Sequence, residues 1–153
     1  MEKIRIQRSE EEFYRINISD DGKEIVLDPL DTDFPIKLDK AVKNLDKNQD
    51  VLKQKMLLAD KKPDTERNGA YTNGNYEKLL AYSEYNKRNR QIIDELFGRG
   101  TCDALFGDKN YVGMYEDLFL ALAPHLNKLY GDVNPILERV KKKYAKVESN
   151  ILK

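Results

Sequence analysis

Residues 92–130, IIDELFGRGTCDALFGDKNYVGMYEDLFLALAPHLNKLY, restrict the fold more than any other stretch of the chain. Ile92, Ile93, Leu96 and Phe97 fall at the i, i+3, i+4 spacing of one helix face, and Gly98 and Gly100 follow as stop signals. Thr101 is placed to cap a short new helix, Asp103 puts negative charge in its first turn, and Leu105 and Phe106 pack before Gly107 closes it. A second period runs through Val112, Tyr115, Leu118, Phe119, Leu122, Leu126 and Leu129 to Gly131. Two amphipathic helices are therefore expected to turn back on each other, with Phe97, Phe106 and Phe119 filling the space between them.

The rest of the chain adds a hairpin and further helices. Ile4 and Ile6 alternate, then Phe13, Ile16 and Ile18, and Asp21-Gly22 between RINIS and KEIVLD is a hairpin turn signal. The β-region is expected over about residues 3–28, with the hairpin itself over about 13–28. Pro29 and Pro35 bracket an extended acidic connector. From Ile36 to about Ala59, Leu38, Val42, Leu45, Leu52 and Met56 form a helical stripe that also includes Gln49. Its spacing suits a core-facing helix, or pairing with a second copy. Residues 60–75 read as a flexible loop on Pro63, Gly69 and Gly74, followed by a helix from near Asn75 to Phe97 whose middle, YSEYNKRNRQ, is polar on nearly all sides and expected at the surface or against a partner. Asp132 can cap a final helix carrying Val133, Ile136, Leu137, Val140, Tyr144, Val147 and Ile151, with a basic face at Arg139, Lys141, Lys142, Lys143 and Lys146. The expected fold class is α+β, mainly α: one domain over 1–153, an N-terminal β-hairpin and a bundle of about four helices spanning 36–152.

Composition narrows the function classes. The 153 residues hold 27 Lys plus Arg against 27 Asp plus Glu, so a net charge of zero argues against whole-domain attraction to nucleic acid or acidic membranes. No apolar run approaches a membrane span. MEKIRIQRSEEEF lacks the apolar core of a secretory signal and there is a single cysteine, which together predict the cytoplasm. Asp28, Asp31 and Asp33 lack the glycine and terminal glutamate of an EF-hand loop and read as solvated turn carboxylates rather than a metal site. Cys102 and His125 carry no thiol-hydrolase signature and read as parts of the packed elbow. Neither a phosphate-loop nor a dinucleotide motif is present, so no catalytic residue, cofactor or metal is expected and the chain is not read as an enzyme. A regulatory or nucleic-acid-binding domain using the basic last helix is the alternative.

The passage LFGRGTCDALFGDKNYVGMYEDLFLALAPHL resembles the C-terminal helical part of tail assembly chaperone-like small tail proteins of Gram-positive phages and prophages. The features shared are Gly100, Thr101, Cys102, Phe106, Gly107, Asp108, Tyr115, Asp117, Leu118, Phe119 and Pro124. The resemblance implies a non-catalytic protein, in the bacterial host cytoplasm, that binds tape-measure or tail-tube subunits and forms oligomers or tight complexes. An apolar groove for such a partner would use Met56, Tyr115, Phe119, Leu122 and Tyr144.

Overall fold

The computed structural model describes residues 1–138. It is mainly helical, with an N-terminal antiparallel hairpin followed by helices. Strands β1 (Tyr14–Asn17) and β2 (Glu24–Leu27) pair in the register Tyr14↔Leu27, Ile16↔Ile25. The turn between them holds four residues, Ser19 to Gly22, closed by Gly22 N–H donating to Ser19 O at 3.2 Å. Gly22 takes φ +91°, a conformation costly for any residue with a Cβ, which is why the Asp-Gly signal marks this turn. The strand region is shorter than expected: residues 1–9 belong to no strand or helix, and Ile4 and Ile6 are exposed.

Helix α1 (Phe34–Ala59) begins with Pro35 in its first turn, where a missing N–H costs nothing. Its stripe of Leu38, Val42, Leu45, Gln49 and Leu52 is buried against α2 (Asn73–Phe97), which returns antiparallel along it. The loop expected over 60–75 instead contains a small hairpin, β3 (Arg67–Asn68) with β4 (Tyr71–Thr72). Gly69 at φ +62° supplies its turn, and the Thr72 hydroxyl caps α2 by accepting from Asn75 N–H. Helices α3 (Thr101–Phe106) and α4 (Met114–Tyr130) form the elbow and its return arm. The start of a further helix follows, with Asp132 accepting from Asn134 N–H at 3.0 Å. The basic face from Arg139 onward and Tyr144 lie outside the described residues.

One cluster joins all these parts. Ile25 and Leu27 of the hairpin, the α1 stripe, Ile93 and Phe97 of α2, and Met114, Leu118, Phe119, Leu122 and Leu126 of α4 pack into it. The polar middle of α2 is divided between surface and core: Ser83, Lys87, Arg88 and Gln91 are exposed as expected, while Tyr85, Asn86 and Asn89 are buried. Several of their polar atoms find partners on neighbouring helices, which offsets much of the cost of burial. Asn48 Nδ2 donates to Asn89 Oδ1 at 2.9 Å, and Tyr115 Oη donates to Asn86 Oδ1 at 3.0 Å.

Gly74 sits where α2 starts beside the end of α1. A Cβ built there lies 2.7 Å from the carbonyl oxygen of Ala59, a backbone atom that cannot swing aside. Gly74→Ala would gain about 1 kcal/mol of helix propensity elsewhere, but here the clash outweighs it. A net loss of roughly 1–3 kcal/mol is expected in urea denaturation, from strain of the overpacking kind.

Candidate functional site

Two features of the molecule carry local chemistry: a polar clamp at the elbow and an open groove on the helical pair. The clamp is built on Arg90, which α2 presents toward the turn between α3 and α4. Its guanidinium donates to Asn110 Oδ1 at 2.8 Å, Gly107 O at 3.0 Å and Lys109 O at 2.6 Å, and pairs with Asp103 at 3.2 Å. A planar fork of N–H donors is the one side chain able to collect so many acceptors at once. Beside it, Asp94 accepts from the Cys102 N–H at 2.9 Å, thereby capping α3 from the neighbouring helix. Thr101, expected as the cap, is instead the first residue of α3, and its hydroxyl donates to Gly98 O at 2.6 Å.

Cys102 and His125 are held apart by this architecture. The Cys102 thiol is buried and points at Arg90 O, 3.8 Å away. Burial, reinforced by the Asp94 carboxylate, pushes it from the ordinary 9.0 up to about 12, the reverse of what a nucleophile needs. His125 faces the hairpin, where its Nδ1 lies 2.7 Å from Tyr14 Oη, and Lys128 sits 5.5 Å above the Tyr14 ring. Asp28 and Asp31 close turns by accepting from Leu30 and Asp33 N–H, and Arg8 pairs with Asp28 and holds its carboxyl below the ordinary range. Among the described residues no cluster of His, Cys, Asp or Glu is arranged to hold a metal ion.

Of the residues expected to line a partner groove, the four within the described chain do not form an exposed surface. Tyr115, Phe119 and Leu122 are buried in the core, and Met56 is half-buried on the core side of α1. The reason is that α4 turns its strongest apolar face toward α2 and the hairpin. The open groove is elsewhere, between α1 and α2 on the side away from α4. Val51, Lys55 and Leu58 form one wall, Glu77, Leu80, Glu84 and Arg88 the other, with Leu52, Ala81 and Tyr85 beneath. Toward the tip of the helical pair it widens to about 280 Å³. Leu58 is 62% exposed, Leu80 52% and Val51 42%. The sequence signal for this groove is present but faint: apolar residues at 51, 58 and 80 fall off the main stripe of each helix.

No protein-family model matches the chain, and neither the curated proteins nor the solved structures give a match. Function is therefore argued from these surfaces.

Arg90→Lys keeps the charge but loses the fork, and is expected to lower the free energy of unfolding by about 2 kcal/mol or more, whereas Arg88→Lys at the exposed Glu84 pair is near neutral. The folded chain keeps the Cys102 proton that the unfolded chain releases near 9.0. That contribution to stability is whole below pH 9.0 and is lost as pH rises toward about 12, and Tyr115, also shifted upward by burial, acts in the same direction. Denaturation midpoints measured across this range should fall, and an aromatic disulfide reagent at pH 8 should leave the native thiol unmodified.

Proposed function

We propose that the chain acts by holding another protein rather than by turnover, with the α1–α2 groove receiving an amphipathic helical segment of its partner. The observation that carries this reading is the run of exposed aliphatic side chains, Val51, Leu58 and Leu80, set between charged rims of both signs. Two antiparallel helices present a natural seat for a third, and apolar anchors at helical spacing fit such a seat. Lys55 and Arg88 on one hand, and Glu77 and Glu84 on the other, suit a partner helix whose flanks also carry mixed charge.

The partner class we infer is a tail protein of a phage or prophage, either a tape-measure or a tail-tube subunit. Its support is the resemblance of the elbow region to tail assembly chaperone-like proteins. Tape-measure proteins are long and helical, and a chaperone for them needs an open apolar seat of this kind. Within this reading the protein keeps a partner helix from aggregating until assembly, and the elbow clamp only supplies a rigid base.

The test is to find whether tape-measure and tail-tube genes flank this one and to co-express the chain with their products. Co-purification of one of them is expected, and Leu58→Asp with Leu80→Asp should weaken capture by at least about tenfold, the loss of two buried anchors. Leu30→Asp, an exposed leucine in the connector, should leave capture unchanged. Neighbouring genes unrelated to phage tails, failure of both proteins to co-purify, or capture indifferent to the groove substitutions would overturn the reading.

A further inference from the structure

The N-terminal arm and the outer edge of the hairpin complement each other, although within the described chain they do not meet. Lys3-Ile4-Arg5-Ile6-Gln7 alternates apolar and polar residues with the period of a strand. Yet Ile4 is 94% and Ile6 91% exposed, and the segment belongs to no strand. Two β-branched side chains at strand spacing, left in water, are a face without a partner.

The hairpin offers the matching deficiency. Among the described residues its sheet has two strands, and β1 has no strand on its outer edge. Ile18 N–H donates to Lys23 O at 2.9 Å, so Tyr14, Ile16 and Ile18 turn their backbone groups toward β2, while those of Arg15 and Asn17 turn outward. Between β1 and α4 lies a cleft of about 550 Å³, whose apolar lining includes Ile16, Ile18, Leu105, Leu118 and Leu122. That is a volume in which a small ligand would fit, and it has room for two aliphatic side chains.

We propose that residues 3–7 of one copy add as a third strand to the open edge of β1 in a second copy, seating Ile4 and Ile6 in the cleft beneath it. An antiparallel register that sets Ile6 beside Ile16 and Ile4 beside Ile18 places Arg5 opposite Asn17 and Gln7 opposite Arg15. Both outward-facing residues of β1 then gain backbone partners, and no like charges are opposed. Lys3 lies opposite Ser19, next to Asp20 and Asp21 of the turn, so the basic arm meets the acidic end of the hairpin. The exchange is between copies because the root of the arm is tied to the β2 side: Arg8 pairs with Asp28, just past β2, and with Glu12. This surface is separate from the α1–α2 groove and does not depend on it.

Light scattering after size exclusion of the full chain tests the proposal. The expected mass is a multiple of 17.8 kDa. Ile4→Asp with Ile6→Asp, both at exposed positions that leave the fold intact by circular dichroism, should weaken association by about a hundredfold or more. A second variant, Arg5→Cys with Asn17→Cys, should give a disulfide-linked dimer on a non-reducing gel. A monomer at every concentration, an oligomer untouched by the two aspartates, or a disulfide closed within one chain would overturn the proposal.

Discussion

Everything else in the molecule is laid against the seam between α1 and α2. Leu38, Leu45 and Leu52 recur every seven residues along α1, and α2 answers with Ala81, Tyr85, Asn89 and Ile93. A seam of leucines alone could slide by a turn. Here the Asn48–Asn89 hydrogen bond and the approach of Gly74 to Ala59 each hold for one alignment only. Gln49 Oε1 and Asn89 Nδ2 are buried without a hydrogen-bond partner, so this specificity carries a cost in stability. The hairpin then closes one end, through Lys23 Nζ on Arg99 O at 3.0 Å and Tyr14 Oη beside His125 Nδ1 at 2.7 Å.

From that seam follows a division of faces. One side of the pair is consumed by α4 and the hairpin, which bury its aromatic and aliphatic residues. The opposite side has no covering element among the described residues, and its leucines stand in water between charged neighbours. Arg90 maintains the division by fixing the elbow, so that α4 returns along the first side and not the second. The clamp is structural, and the exposed groove and the β1 edge are the surfaces we propose for other chains.

Much of this was legible in the residues. The helical periods through Leu38–Leu52 and Tyr115–Leu126, the Asp-Gly turn and the glycine elbow each follow from local chemistry that tertiary context reinforces. What misled was composition read without partners. YSEYNKRNRQ looks solvated, but Asn and Tyr side chains can be buried when they bond one another across helices, a pairing invisible in a single segment. Arg90 was equally silent, since its acceptors, two backbone carbonyls, the Asn110 amide and the Asp103 carboxylate, are brought together only by the folded turn. Among the residues expected to line a partner groove, Met56, Tyr115, Phe119, Leu122 and Tyr144, most are large apolar or aromatic side chains. These are the residues a core takes first, and the surface was left with the smaller surplus at Val51, Leu58 and Leu80.

The central claim, that the two faces of the α1–α2 pair are divided in this way, is tested most directly by carbene footprinting of the full chain read residue by residue. The account predicts strong labelling of Val51, Leu58 and Leu80, with Tyr115, Phe119 and Leu122 protected. Labelling of Phe119 and Leu122 together with protection of Leu58 and Leu80 would contradict it, and would move the binding face to α4.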